Sequence, residues 1–448
     1  MGAFPACGSK SGVLLMQTKN GHITSLDGVR GIAILLVIVF HAGLGNYGWI
    51  GVQLFFVLSG FLITGILWKE KQAMTSLGYK FRKFWTRRAL RIFPLYFGYL
   101  AALGVLFVLF HFPPYYGKFI AWLATYSFNY ARTMPSWQDN PLFTQLWSLC
   151  VEEQFYIFFP LVIFLCPIRF TKSLMVTVIV LAPLIRYGLG LWYLHRGYSI
   201  AVAGDALYRN TLSHLDAFFL GGIIPLLSLN QRIKRPAGVA LGALVLVAGA
   251  GALNYAYSPH KFAYIFELGY PQFSMGNDMH VWGYTLINLF FAACLLLIVS
   301  FHRPAFMTGV SKALSSRWLV RIGTVSYGMY VFNLAVWMYT FERWTHGRAS
   351  IPVLLALFIP YLLVVYGLAE LSYNFFELKF IRLKDRWFRG TPGGAAEVSA
   401  SVAGGADGAT SGGAASGAGG AISDSAASGA GGATGTVAYS SFKSQDQV

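Results

Sequence analysis

Polar and apolar positions along this chain fall in blocks. Mostly apolar runs of about 18–22 residues are separated by short segments rich in Lys, Arg, Asn and Gly. A helix of that length crosses the hydrocarbon of a bilayer. Backbone groups inside lipid must pair within their own segment, so these runs are helices and not strands. They fall at about 29–47, 50–68, 91–112, 146–166, 173–193, 212–229, 237–254, 282–301, 322–341 and 351–376. The pattern predicts an all-α polytopic membrane protein of about ten transmembrane helices.

Other segments break the rhythm. Residues 1–23 read as a flexible N-terminal arm, and the membrane core runs over 24–389. After Trp387 the composition shifts, and 390–448 is dominated by Gly, Ala and Ser. Such a tract cannot bury enough apolar surface to offset its ordering entropy, so it reads as a disordered cytoplasmic tail. The stretch 119–132 is apolar but too short to span, and reads as an interfacial helix or a re-entrant piece lying on protein. The long 255–281 segment carries Tyr255, Tyr257, Tyr264 and Phe273, with Trp282 just beyond its end. These rings suit either interfacial anchoring or contact with sugars. No internal repeat is visible.

Composition supports the class. Of 448 residues, 56% are hydrophobic and 11% charged, against roughly a quarter charged in soluble proteins. The net charge of +17 could suggest a nucleic-acid partner, but its distribution excludes one. With the N-terminus placed in the cytoplasm, 26 of the 34 Lys and Arg fall on the cytoplasmic side. Residues 69–91 alone hold Lys69, Lys71, Lys80, Arg82, Lys83, Arg87, Arg88 and Arg91. This is the positive-inside bias, and it places both termini in the cytoplasm. Cys7, Cys150, Cys166 and Cys294 show no paired spacing, so they read as small hydrophobes with no metal cluster or disulfide framework. No cleavable signal peptide is expected in 1–23.

Three constellations stand out from the apolar background. Arg30 and His41 are eleven residues apart in one run, almost three turns, so they share a helix face about 16 Å apart. Arg30 then lies near a membrane surface and His41 near mid-depth, with Asp27 close to the same face. An ionisable residue at that depth is a functional candidate, although a histidine there can also simply hydrogen-bond between helices. Arg88 and Arg91, in RRALRIFPLY at the cytoplasmic start of the third span, lie three apart. They can fork onto phosphate oxygens or serve only as topological anchors. Ser148, Glu152 and Tyr156, in QLWSLCVEEQFYIFFP, are spaced i, i+4, i+8, with Glu153 about 100° away. Two adjacent carboxylates entering an apolar helix are either functional or held by the helix dipole. Asp216, beside His214, and Glu377 read as structural partners for arginines.

These residues resemble the acyltransferase 3 family of integral membrane acyltransferases, which modify bacterial surface polysaccharides and related acceptors. The resemblance covers roughly 22–385. SLDGVRGIAILLVIVFHAG is similar to its opening block, with Arg30 and His41 at the family's spacing. FFVLSGFLIT resembles the second block, RRALRIFPLY carries the RxxR at Arg88 and Arg91, and LWSLCVEEQFYIFFP the SxxxE at Ser148 and Glu152. Three positions depart: Asn333 in SYGMYVFNLAVW where relatives often carry His, Gln53 where many carry Asp, and Leu378–Lys379 after Glu377. Asn333 concentrates the acid–base burden on His41.

The resemblance implies transfer of a short acyl group, most often acetyl, from cytoplasmic acyl-CoA to a hydroxyl of a carbohydrate or glycolipid. The enzyme would be a multi-pass protein of the bacterial inner membrane with no permanently bound cofactor. It assigns His41 as general base or covalent relay, Arg30 to orient the donor or stabilise charge, and Arg88 and Arg91 to coenzyme A phosphates. Glu152, with Ser148 and Tyr156, would orient the histidine or the acceptor, and Asp27 and Glu153 would support the site. A proton-coupled transporter or flippase using intramembrane His, Asp and Glu is the competing class, and a scaffold with decayed motifs a third. The absence of an inverted repeat argues against the transporter.

Overall fold

The computed structural model describes residues 23–134, 136–259, 265–342 and 350–387. The expected arm, apart from Ile23, and the expected tail over 390–448 lie outside the described residues. Secondary structure among the described residues is entirely helical, as the apolar runs require. Among the described residues, eight helices are long and apolar enough to cross a bilayer. They include α1 (Thr24–His41), α2 (Ile50–Gln72), α3 (Leu77–Phe110), α5 (Trp147–Leu165) and α6 (Ile168–His195). The others are α9 (Pro236–Tyr257), α10 (Met279–Val299) and α14 (Ile351–Ser372).

The remaining two expected spans take other forms. The run at 322–341 is a broken pair, α12 (Arg317–Thr324) and α13 (Ser326–Val336) with its π-helical extension to Phe341, bent by 74°. Two carbonyls at the break are kept satisfied: Thr324 Oγ1 donates to Val320 O and Ser326 Oγ to Gly323 O, both at 2.8 Å. After the short α7 (Ile200–Arg209), the run at 212–229 becomes a 3₁₀ turn followed by the short α8 (Leu215–Leu226).

Two helix ends depart from the sequence expectation and move site residues. The first span was expected to continue to residue 47, yet α1 stops at His41. Gly43 adopts φ +71°, Leu44 N–H donates to Val39 O at 3.1 Å and Gly43 N–H to Phe40 O at 3.0 Å. That is a glycine-terminated C-cap of the Schellman type. It puts His41 in the last turn of α1, beside the 42–49 bend, and not partway along a longer helix. At the other departure, α3 begins at Leu77, where Ser76 Oγ accepts from Tyr79 N–H at 3.3 Å. Arg88 and Arg91 therefore lie well inside a 34-residue helix, not at its start.

The expected 119–132 segment is α4 (Tyr116–Ala124) followed by a 3₁₀ turn over Phe128–Thr133. Phe119, Leu123 and Phe128 are fully buried, and Phe119 and Phe128 meet Trp137 and Phe143. The segment thus lies on protein. The described part of the 255–281 segment also folds back onto protein, at the start of α2 and midway along α9. Trp49 Nε1–H donates to Tyr270 O at 3.2 Å, and Tyr270 Oη–H to Val247 O at 2.6 Å.

An ion pair crosses the core between α6 and α8. Arg186 and Asp216 are both fully buried and 3.0 Å apart. Arg186 also donates to Ser213 O, Val281 O and Thr285 Oγ1, and Asp216 accepts from Thr285 and Asn288. His214 is equally committed: Nε2–H donates to Tyr208 O at 2.5 Å, and Nδ1 accepts from Gln53 Nε2 at 3.2 Å. Asp216→Ala should cost about 3–5 kcal/mol, because it strands a buried guanidinium. Thermal unfolding in detergent reads this cost, and a parent-like midpoint would contradict it. Replacing both partners by Leu and Met should recover much of the loss.

The crossing of α1 with α11 (Met307–Leu314) and α12 sets the position of the first helix. A Cβ at Gly28 would lie 1.9 Å from Leu314 O, and one at Gly323 1.8 Å from Asp27 O. Only glycine permits backbones this close.

Candidate active site

Two regions of α1 carry the candidate chemistry. Near its start, Arg30 Nη1 donates to Asp27 Oδ1 at 2.6 Å, an i,i+3 pair on one face. The α3 helix brings Arg88 and Arg91 to the same region. Arg30, Arg88 and Arg91 are close enough to repel one another, and Asp27 and Glu153 offset part of that repulsion. The Arg88 guanidinium lies 5.9 Å from the Tyr156 ring centroid and 6.0 Å from that of Phe84. Among the described residues, neither Arg88 nor Arg91 forms an ion pair or hydrogen bond with a protein group, and Arg91 is exposed. Two guanidiniums left this way beside a third suit an anionic ligand with several oxygens.

The carboxylates on α5 flank this cluster. Glu152 accepts from Ser59 Oγ–H of α2 and from Tyr156 Oη–H. Glu153 is only 5% exposed and interacts electrostatically with Glu152 and Arg88. Ser148 sits on the same face of α5 but is bound elsewhere. Tyr330 Oη–H donates to Gln145 O at 3.0 Å, so the 2.5 Å contact is Ser148 Oγ–H donating to Tyr330 Oη. Glu377, expected to be structural, lies in a π-helical turn, Tyr373–Glu377. There it accepts from Ser372 Oγ at 2.9 Å and interacts with Arg91.

At the other end of α1, His41 is partly exposed, and its Nδ1 meets Asn333 Oδ1 of α13. Asn333 is fully buried. The histidine's hydrogen-bonding partner is therefore Asn333; the hydrogen bonds of Glu152, Ser148 and Tyr156 go to other groups. Arg30 and His41 remain on one helix, about 16 Å apart along its axis.

The structure thus gathers Asp27, Arg30, Arg88, Arg91, Glu152, Glu153 and Tyr156 into one polar region and holds His41 apart from it. Sequence reading missed the partners: Ser59, Tyr330 and Asn333, the last noticed only as a departure. Each is a polar side chain interrupting an apolar run, which was the available signal. Among the described residues, no group of three His, Cys, Asp or Glu side chains could hold a metal ion.

Comparison with known proteins follows the same outline. A family model described as an acyltransferase domain matches residues 23–370. A Staphylococcus aureus (strain COL) protein named "Putative O-acetyltransferase" is 28% identical over 386 residues, covering 81% of this chain and 58% of that protein. The O-acetyltransferase OatA of S. aureus (strain NCTC 8325 / PS 47) is 27% identical over 380 residues, covering 80% and 57%. The chain thus spans somewhat over half the length of these relatives. No solved structure matches significantly.

Proposed function

The chain belongs to the acyltransferase 3 family, and from that premise we propose that it moves an acetyl group from acyl-CoA to a hydroxyl of a carbohydrate or glycolipid. The observation that carries this reading is the division of labour along α1. One end adjoins two arginines that, among the described residues, make no ion pair or hydrogen bond to protein, and the other presents a partly exposed imidazole. Arg88 and Arg91 hold the phosphates of the nucleotide, and Arg30 orients the arm that follows. A pantetheine-like arm lying along α1 spans the distance of about 16 Å to His41.

At His41 the acceptor loses its hydroxyl proton to the imidazole as its oxygen attacks the thioester carbonyl. The C–S bond breaks, the coenzyme A thiolate takes up a proton, and the ester is released. In the covalent variant the imidazole nitrogen attacks first and passes the acyl group on. Glu152, fixed by Ser59 and Tyr156, faces the arginine cluster through the Tyr156 side of α5. The basic bias of the inner segments supports a cytoplasmic donor and cytoplasmic termini in a bacterial inner membrane.

The test is coenzyme A release by purified protein given acetyl-CoA, with and without surface glycans of the source cells as acceptor. Acceptor-dependent release with acetyl ester formed on the glycan is the expected result. Proton-coupled movement of a glycolipid without thioester turnover would replace this reading with a transporter.

A further inference from the structure

We propose that Asn333 is a positioning residue that holds His41 as its Nδ1–H tautomer, leaving Nε2 as the ring nitrogen that meets substrate. This rests on the reading of His41 as the reacting base or acyl relay. The starting observation is the contact between His41 Nδ1 and Asn333 Oδ1, two residues 292 positions apart in sequence. A ring nitrogen can donate or accept, so the contact alone does not fix the proton.

The far side of the amide does. Asn333 Nδ2 donates to Tyr330 O at 2.7 Å and to Met329 O at 3.2 Å. Carbonyl oxygens only accept, so both amide hydrogens are committed there and Oδ1 must face the ring. A flipped amide would set Oδ1 against two carbonyl oxygens. Oδ1 cannot donate, so the hydrogen between the residues belongs to His41 Nδ1. A neutral imidazole carries one N–H, which leaves the lone pair on Nε2.

The amide is held in turn. Asn333 is fully buried, and its own carbonyl accepts from Tyr361 Oη–H at 3.2 Å. One turn back on α13, Tyr330 is tied to Ser148 and Gln145 of the α5 region. The hydrogen bond to Nδ1 survives turnover. When Nε2 takes a proton the ring becomes an imidazolium, still donating from Nδ1 to the same oxygen, and the new proton sits where the departing thiolate can receive it. Asn333 carries no charge, so it orients the ring without adding a buried carboxylate.

The experiment uses full-length protein in nanodiscs with ¹⁵N-labelled histidine. Nitrogen shifts separate protonated from unprotonated ring nitrogens, and the His41 signals are assigned by their loss in His41→Gln. The parent is expected to show Nδ1 protonated and Nε2 free. Asn333→Leu removes the acceptor at similar size. It should abolish that tautomer preference and lower kcat by about 10²-fold or more, with acyl-CoA affinity unchanged. Asn333→Asp keeps an acceptor but cannot donate to Met329 O or Tyr330 O. It should retain the Nδ1–H tautomer and most of the turnover.

An Nε2–H tautomer in the parent overturns the proposal. So does parent-like turnover by Asn333→Leu. Equal loss in the Asp and Leu variants also overturns it, because the residue would then act only by bonding its own helix. The tautomer is read without turnover, so an Nδ1–H signal in a protein that releases no coenzyme A supports the positioning role and sinks only the proposed function.

Discussion

His41→Gln is expected to lower acyl transfer by about 10²–10⁴-fold, the range for loss of a general base, while acyl-CoA still binds. Glutamine can keep a hydrogen bond to Asn333 Oδ1, so the end of α1 should hold its shape. It has no nitrogen that takes up a proton near neutral pH. Donor binding should survive because the arginine cluster lies about 16 Å away along the helix. Coenzyme A release and donor calorimetry on the same preparation check both halves. Near-parent turnover would reduce His41 to a packing role, and an acyl adduct trapped on the imidazole would favour the covalent route.

Arg88→Ala combined with Arg91→Ala should weaken acyl-CoA binding by about 10²-fold or more, since each hydrogen bond to a charged group is worth about 1.5–3 kcal/mol. Folding should be spared. Neither guanidinium forms an ion pair or hydrogen bond with a protein group among the described residues, and Arg30, Arg88 and Arg91 repel one another. The double variant should therefore melt close to the parent, relief of repulsion offsetting the lost Arg88 contacts with the Tyr156 and Phe84 rings, each worth about 0.5–2 kcal/mol. Lysine at both positions should restore affinity only in part, because an ammonium cannot fork onto two phosphate oxygens. Unchanged donor affinity, or a lowered melting point with affinity intact, would mean that these residues only anchor and pack.

Much of the architecture was legible because lipid leaves the backbone few choices: every expected span corresponds to a helix, a bent pair or a shorter helix. Boundaries were harder. Hydropathy discounts the basic stretch before Arg88, yet it is helical from its Ser76 cap. The Gly43 cap was written in the sequence but hidden by the apolar residues around it. The 74° break precedes Ser326 without a proline to mark it. Spacing was informative within a helix, as for Asp27 with Arg30. It was silent across helices, as for Ser59 with Glu152 or His41 with Asn333, because such contacts depend on tertiary packing alone.

The near-contact of backbones at Gly28 and Gly323 has a bearing on how mutational data for this chain should be sorted. The first helix carries Asp27, Arg30 and His41 as one rigid rod, so a single methyl wedged at that crossing shifts all three together. In a saturation screen scored by acetylation, alanine at either glycine would read as silent as a lost imidazole, though neither position handles substrate. The two groups separate by thermal unfolding in detergent: a methyl at either glycine meets backbone atoms of the facing segment and should lower the midpoint, whereas His41→Gln should leave it near the parent value.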